Sequence, residues 1–519
     1  MKEVLPMKAL FASMALWLVA FPAVAQIRLG PADDVHAMLN ALSPGDEVIL
    51  EDGLYTIDGR FQIDVAGTAA APIVIRAADG ARPHFRQDSG QNIWDLDLRF
   101  VTLRGIEFSG GSAGLRFQSA EDVTVEDCEI HDTGDVALRM NDEGQTYLRV
   151  AILRNHIHHT SGTGEGMYLG CNRDGCRLAD SRIIGNYVHH TNMGVSQGDG
   201  IELKEGSYET VIADNVVHDT GTGYPCITGY AALGNGGPNT VERNVVWSCG
   251  SHAIQWVADA TIRNNILLSA ADNGALSIQP NSMGTPADLV IVHNTILAPT
   301  ADAIALRGVA GSVVVANNAV YAQTGRAIFV RDTHPMLTIV GNVGEGATAG
   351  FSGGFTASSM AADLSGASYS GAVPNDVFPR AGGGLIGSGD AAHVPADDFN
   401  GTARMGVADV GAYAYGDGTN PGWTLMESLK PAGAGPLPGT DAGVPPSTDA
   451  GPATADAGPP SAMDGGTSPG TDAGSVGGAD AGEGGGSEGC ACRATPSGSS
   501  PIGLLGLLGL WVLRRRRRG

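Results

Sequence analysis

A short motif recurs through the middle of this chain of 519 residues: a strand rich in β-branched residues, an asparagine, and an apolar residue two positions later. Two copies read TVERNVVWSCG and VIVHNTILAP. The aligned positions are Cys128, Asn155, Asn186, Asn215, Asn244, Asn265, Asn294, Asn318 and Asn342. Neighbouring copies are 21 to 31 residues apart, so each unit is too short to bury its own apolar residues but can stack on its copies. The repeat therefore predicts a solenoid.

Each asparagine unit is followed by a glycine-rich bend and a second short strand in which apolar and polar residues alternate, as in GIELK, AIQWV and AIALR. Short strands at this spacing, without helical periodicity between them, favour a parallel β-helix. Asparagine suits the bends because its amide can form hydrogen bonds from coil to coil and because it tolerates left-handed backbone geometry. We predict an all-β parallel β-helix with a structural column of asparagines.

The two ends of the chain differ from the repeats. Residues 1–25 combine a basic start, an apolar stretch and the small-residue pattern Ala23-Val24-Ala25, which is typical of a signal peptide and predicts export. We assign residues 26–430 to the solenoid with its capping segments. Residues 431–489 contain no aromatic residue, lysine or arginine, and this composition predicts a disordered stalk.

Charge and cysteine content narrow the possible partners. The formal net charge of −24 argues against nucleic acid as a partner. Of the seven cysteines, Cys171 and Cys176 in GCNRDGC are the best disulfide candidates, because close pairs in exported loops commonly bridge. We expect a monomer.

The repeats, the opening APIVIRA and the ending VADVGAYAY resemble the exported bacterial right-handed parallel β-helix proteins of the pectate-lyase-like superfamily. The resemblance extends over residues 27–416 and implies that fold, with a disordered linker after it. This scaffold serves polysaccharide lyases, glycoside hydrolases, epimerases and non-catalytic surface proteins. Polysaccharide is therefore the expected partner.

The stretch QGDGIELKEG, residues 197–206, resembles the calcium-dependent alginate and chondroitin lyases of that superfamily. The resemblance implies that Lys204 is the catalytic base, with a lowered pKa, and that Asp199 is a calcium ligand. Gln197 stands where those lyases carry a second acid, and Glu165 is a further candidate ligand. The arginine expected one coil later is absent from PCITGY.

Several residues can fill the proton-donor and substrate-binding roles that the missing arginine leaves open. Tyr224, Tyr230 or a histidine, with His189 as our candidate, can donate the proton. Alternation along the strand predicts that Glu202 and Lys204 face outward, in a column that includes Arg139. Our candidates for substrate binding are Arg139, Glu202, His158 and His218.

A second predicted column consists of His131, His158, His189 and His218, followed by Trp247. Successive strands place these rings about 5 Å apart. The column can line a saccharide groove, hold a metal, or be a structural ladder.

Two other functions stay open. Acid pairs such as Asp199 with Glu202 or Glu165 suit a glycoside hydrolase. A non-catalytic module that binds glycans or surfaces needs only the exposed columns.

The last segment, GCACRATPSGSSPIGLLGLLGLWVLRRRRRG, resembles the myxobacterial C-terminal sorting signal. The resemblance implies a processing protease as a partner, and a protein attached to the cell surface or secreted. A plain tail anchor is the alternative for residues 490–519.

Overall fold

The computed structural model describes residues 26–192, 197–271, 274–370, 373 and 375–431. The chain winds through three parallel sheets in turn, and within these sheets each strand pairs with the equivalent strand of a neighbouring coil. We name them sheet A, which precedes the asparagine column, sheet B, which follows it, and sheet C, which follows the glycine-rich bend. The predicted parallel β-helix is confirmed.

Each sheet is a ladder of short strands. Sheet A contains Gln26–Leu29, Glu47–Leu50, Ile73–Ala77, Ala151–Leu153, Arg182–Ile184, Val211–Ala213, Asn239–Glu242, Ala260–Arg263, Leu289–Val292, Val313–Ala316 and Leu337–Val340. Sheet B contains Gly53–Ile57, Pro83–Gln87, Glu107–Gly110, Glu129–His131, His156–His158, Tyr187–His189, Val216–His218, Val245–Cys249, Ile266–Ala270, Thr295–Ala298 and Phe355–Ala357. Sheet C contains Gln62–Ala66, Leu138–Met140, Met167–Leu169, Ile201–Leu203, Ile227–Gly229, Ile254–Trp256, Leu276–Ile278 and Ile304–Leu306.

Some elements turn a corner or lie outside the three sheets. Strands that continue from sheet C into sheet A are Trp94–Arg104 and Leu115–Glu126, and those that continue from B into C are Ala319–Val330 and Asn342–Ala349. Outside the sheets, Thr146–Leu148 pairs with Arg177–Ala179, and Leu364–Gly366 pairs antiparallel with Asp376–Pro379. The helices are Val35–Leu39 and Met360–Asp363, with 3₁₀ turns at Asn172–Asp174 and Ala391–His393.

The asparagine column forms a buried ladder at the corner between sheets A and B. Asn215 is typical: its Nδ2 donates to Ile183 O at 2.9 Å and to Asn244 Oδ1 at 2.9 Å, while its Oδ1 accepts from the backbone N–H of Asn186 at 2.9 Å. The same pattern runs to Asn342. The predicted structural role is confirmed.

Left-handed geometry falls on the residue before each asparagine rather than on the asparagine itself. Asp214, Arg243 and His293, for example, have φ of 56°, 54° and 55°. A left-handed conformation costs a residue other than glycine roughly 1–2 kcal/mol. The ladder keeps this corner because it satisfies backbone groups that would otherwise be buried without partners.

The C-terminal segment, residues 360–431, packs on the outer face of sheet B. Its Phe378, Phe399 and Tyr413 belong to one apolar cluster with Trp247 and Leu268 of that sheet. The N-terminal coils of sheet B carry polar outward side chains instead. The outer face of this sheet is therefore polar in its early coils and apolar in its later ones.

A buried ion network fixes the end of this segment. Lys430 Nζ lies 2.7 Å from Asp214 Oδ1, and Arg243 Nη2 lies 3.0 Å from Asp214 Oδ2. Lys204 and Lys430 are the only lysines after residue 25, and both are buried.

No helix in the described part of the chain is long and apolar enough to cross a membrane. Residues 1–25 and 432–519 lie outside the described residues. The signal peptide, nearly all of the stalk and the sorting tail therefore stay predictions.

The predicted Cys171–Cys176 disulfide is confirmed, and a second disulfide, Cys226–Cys249, was not predicted. The second bridge links strand Val245–Cys249 to the residue before strand Ile227–Gly229. Cys128 is buried and free.

Replacing Asn215 with alanine tests the ladder. The change leaves the Asn186 N–H and the Ile183 carbonyl buried without this partner, so we expect the free energy of unfolding to fall by about 3 kcal/mol. Urea denaturation measures the effect, with Asn172→Ala in an exposed turn as the control. Equal stability of the two variants would contradict a structural ladder.

Peptide mapping without reduction tests the cysteines. We expect linked peptides for Cys171–Cys176 and Cys226–Cys249, and an alkylatable Cys128 only after unfolding. Replacing Cys226 and Cys249 together with serine should destabilise the fold by about 3 kcal/mol, because the bridge restricts the unfolded chain. A free Cys226 in the native protein would disprove the second bridge.

Candidate functional site

Strand Ile201–Leu203 of sheet C carries the candidate site. Ile201 and Leu203 are buried in the solenoid core, which turns Glu202 to the outer face because side chains alternate along a strand. The predicted outward direction is therefore confirmed for Glu202. Both side chains are nevertheless almost fully covered, since Glu202 is only 4% and Lys204 only 6% exposed.

Strand register places Arg139, Tyr168 and Glu202 in one outward column. The predicted alignment of Arg139 with Lys204 is therefore wrong by two residues. Arg139 donates from Nε to Asn141 Oδ1 at 2.7 Å. It lies two coils from Glu202, with Tyr168 between them.

Lys204 is held by a buried ion pair under two tyrosines. Its Nζ lies 2.5 Å from Glu202 Oε1, and Tyr230 donates its hydroxyl to the same oxygen at 3.2 Å. The ammonium also lies 4.5 Å from the centre of the Tyr168 ring and 5.3 Å from that of Tyr230. Both tyrosines are partly exposed, so they form the outer layer of the cluster.

The expected low pKa of Lys204 is wrong for this arrangement. Burial alone would lower the pKa, but the negative charge of Glu202 and the two tyrosines outweigh it and raise the pKa of Lys204 well above its usual value. Lys204 therefore carries its proton at neutral pH. Burial and the charge of Glu202 also raise the pKa of Tyr230 well above its usual value, so that phenol is protonated too.

Three acids crowd around this ion pair. Burial, then repulsion from Glu202, raises the pKa of Glu165 to about 7. Burial, then repulsion from Glu202, also raises the pKa of Asp199 well above its usual value, although Thr228 donates its hydroxyl to Asp199. Both carboxylate oxygens of Glu165 and one each of Glu202 and Glu205 are buried without a hydrogen-bond partner. The cluster is therefore short of positive charge.

The residues present suit calcium in donor type, because Glu165, Asp199 and Glu202 offer only oxygen ligands, which calcium prefers. Their unpaired oxygens also gain from a cation. In the described part of the chain, the sets of three side chains whose ligand atoms lie within 4.8 Å of one another are found on or beside sheet B, not here. A calcium ion would therefore draw the three acids closer together.

Other candidate positions lie apart from the cluster. The carbonyl of Gln197 accepts a hydrogen bond from Asn192 Nδ2, and no described contact joins its side chain to the acids. His158, His189 and His218 lie on sheet B and stack on one another, with ring centres 5.1 and 5.0 Å apart. The predicted alignment of these histidines in one column is confirmed, and the structure does not bring His189 to Lys204.

Two parts of the cluster were missed from the sequence. Tyr168 could have been found by aligning GMYLG with GIELK, since this places it level with Glu202. Asn281, which donates to Glu205 Oε1 at 2.9 Å, left no signal because it lies 76 residues away in a loop without repeat character.

Residues 84–217 and 170–320 match a family model described as a right handed beta helix region. The solenoid is a right-handed parallel β-helix. No curated protein sequence matches the chain significantly.

Solved structures similar to this β-helix include three lyases. An alginate lyase from Paenibacillus sp. str. FPU-7 is 20% identical, with a TM-score of 0.42, and the match covers 55% of this chain and 98% of that one. A pectate lyase is 16% identical, with a TM-score of 0.44 and coverage of 75% and 97%. A mannuronic acid specific lyase from human gut microbiota is 16% identical, with a TM-score of 0.43 and coverage of 64% and 91%. At these identities and scores the similarity assigns no activity to this chain.

Replacing Lys204 with methionine tests the ion pair. The change leaves Glu202 buried without its cation, so we expect the free energy of unfolding to fall by about 3–5 kcal/mol. Adding Glu202→Leu should recover most of this loss, and Lys204→Arg should lose much less because it keeps the charge. Denaturant unfolding of all three variants measures the coupling. A fully stable Lys204→Met protein would contradict a buried ion pair.

Proposed function

We propose that this β-helix acts on polysaccharides that contain uronic acid, and that it cleaves them by β-elimination at the cluster on sheet C. The observation that carries the proposal is Lys204 itself, buried beside Glu202 among unpaired carboxylate oxygens and beneath two tyrosines. A lone structural ion pair would not need the extra acids, whose crowding is costly unless a cation or ligand relieves it.

Elimination from a uronate requires a neutralised substrate carboxylate, a base and a proton donor. A bound calcium ion would neutralise the carboxylate and, by its own charge, disfavour the ammonium form of Lys204. Glu165, Asp199 and Glu202 are the residues that would hold it. A cation there would favour the ionised forms of Glu165 and Asp199, whose pKa values the present crowding raises.

In the proposed reaction, Lys204 is the base and Tyr230 is the proton donor. The free amine of Lys204 removes the proton from the sugar carbon beside the carboxylate. The electron pair forms the new carbon–carbon double bond, and the bond to the glycosidic oxygen breaks. Tyr230 is within 3.2 Å of Glu202 and protonated, so it donates to the departing oxygen in place of the missing arginine. His189 has no part in this site.

The column on sheet C also offers a path for an extended polymer. Arg139 and Tyr168 precede Glu202 in successive coils, and strands of one sheet lie about 4.8 Å apart. Arg139 is the basic group placed to bind a neighbouring uronate. Tyr168 is the aromatic surface against which a sugar ring packs.

Export is a proposal that rests on residues 1–25, and the two disulfides support it because such bonds persist in oxidising compartments. We also propose cell-surface display or secretion after a protease has processed the tail.

Incubation of the protein with alginate, pectate and glycosaminoglycans in calcium tests the proposal. We expect ultraviolet absorbance from unsaturated uronate ends with at least one polymer, and loss of that signal with a chelator. Lys204→Arg keeps the positive charge but cannot act as a base, so its rate should fall at least about a thousandfold, within the range that general acid–base catalysis supplies. Tyr230→Phe should also be slow.

Tyr415→Phe, in the C-terminal segment, is the matched control and should keep full activity. Reducing ends without unsaturation would support the hydrolase alternative, and binding without any cleavage would support a glycan-binding module. Either result would overturn the lyase proposal.

A further inference from the structure

The N-terminal half of the sheet B face concentrates histidine. Of the 13 histidines in the chain, eight lie in or directly beside two outward columns of this sheet. The eight are His84, His131, His156, His158, His159, His189, His190 and His218. We call this surface the histidine face.

Strand register explains the stacking on this face. His131, His158, His189 and His218 occupy equivalent positions in successive coils. Their ring centres are 5.0, 5.1 and 5.0 Å apart and the rings are nearly parallel. The stack ends on Trp247, which shares an apolar cluster with the C-terminal segment. His189 and His218, nearest that end, are buried, whereas His131 and His158 are partly exposed.

Glu129 and Glu107 each place one carboxylate oxygen close to the nitrogens of two imidazole rings. Glu129 Oε1 lies 3.0 Å from His158 Nε2 and 3.5 Å from His156 Nδ1. One coil earlier, Glu107 Oε1 lies 3.1 Å from His131 Nε2 and 3.5 Å from His84 Nδ1. In each set the ligand atoms of two histidines and one carboxylate lie within 4.8 Å of one another.

Arg82 joins the two sets from outside. Its Nε lies 2.6 Å from Glu107 Oε2, and its Nη2 contacts Glu129 Oε2. Each glutamate thus has one oxygen held by the guanidinium and the other turned to two imidazoles. Two carboxylates and one guanidinium leave a net negative charge beside the imidazole rings.

The other ring nitrogen of each histidine is also engaged. His156 Nε2 lies 2.8 Å from His189 Nε2, and His158 Nδ1 lies 2.7 Å from His159 Nδ1. In the earlier set, His84 Nε2 lies 2.6 Å from Ser109 Oγ and His131 Nδ1 lies 2.8 Å from Asp132 Oδ2. Histidine ligands of metals characteristically bond a second group in this manner, which fixes the ring and its tautomer.

Partial exposure of Glu129, His156 and His158 gives an ion access from solvent.

We propose that Glu129, His156 and His158 bind a zinc ion, and that the sister set of His84, Glu107 and His131 binds a second ion more weakly. Two imidazoles and one carboxylate are the ligands of many zinc sites that keep an open position for water. Calcium and magnesium are disfavoured because they require oxygen ligands. The second ion binds more weakly because two divalent ions on neighbouring coils repel each other.

The site is independent of the cluster on sheet C, which has no nitrogen ligand except the protonated Lys204. A third set, His190, His218 and Asp219, lies at the end of the face. It lacks an arginine clasp, and the side chain of Asp219 is 43% exposed, so the proposal does not include it.

Zinc titration of the untagged full-length protein tests the proposal. All proteins carry Cys490→Ser and Cys492→Ser, because thiolates also bind zinc. We expect one tight equivalent by metal analysis after dialysis, unaffected by excess calcium or magnesium. Glu129→Gln and His158→Gln should each weaken its dissociation constant at least about tenfold. Substituted cobalt should give a visible spectrum of nitrogen and oxygen ligation that the Glu129→Gln variant lacks.

Two control variants test whether the tight site is the one assigned. His36→Gln changes an exposed histidine outside the histidine face and should leave the tight equivalent unchanged. His84→Gln should affect only the weaker binding. Circular dichroism confirms that each variant is folded. Less than half an equivalent in the parent protein would overturn the proposal, as would loss of the tight equivalent in His84→Gln but not in Glu129→Gln.

Discussion

Hydrogen bonding from coil to coil at the corner between sheets A and B fixes how the coils of the solenoid stack on one another. Each asparagine amide there satisfies the backbone of two neighbouring coils, as Asn215 does for Asn186 and Ile183. The preceding residue, such as Asp214, takes a left-handed conformation that is unfavourable by itself. From Asn155 to Asn342, a ladder that repeats this exchange holds the register of the three sheets. The outward columns of side chains on sheets B and C rely on this register.

Strand register aligns residues that are distant in sequence into outward columns of side chains. On sheet C the line contains Arg139, Tyr168 and Glu202, and Lys204 beside it meets more acids than one lysine can neutralise. On sheet B the line contains imidazoles, which stack at the strand spacing. The same backbone thus builds an oxygen-rich cluster suited to hard cations and a nitrogen-rich face suited to zinc. The two differ in ligand type because different residues occupy equivalent positions.

Features with local or periodic causes could be predicted from the sequence. The asparagine ladder, the histidine stack and the Cys171–Cys176 bridge follow from spacing alone. The burial of Lys204 could not be predicted, because its cover comes from tyrosines of two other coils. The Cys226–Cys249 bridge depends on which coils are adjacent. The contacts of Arg82 with Glu107 and Glu129 also link residues of different coils, which the sequence alone does not align. An error of two residues in aligning Arg139 was enough to misplace the sheet C column.

Both lysines after residue 25 are buried in ion pairs. Every exposed basic side chain of residues 26–431, apart from histidine, is therefore an arginine. Arginine does not lose its proton in proteins, so the positive surface charge stays constant even in alkaline solution. Reagents that attack amines would therefore find no accessible lysine side chain among residues 26–431.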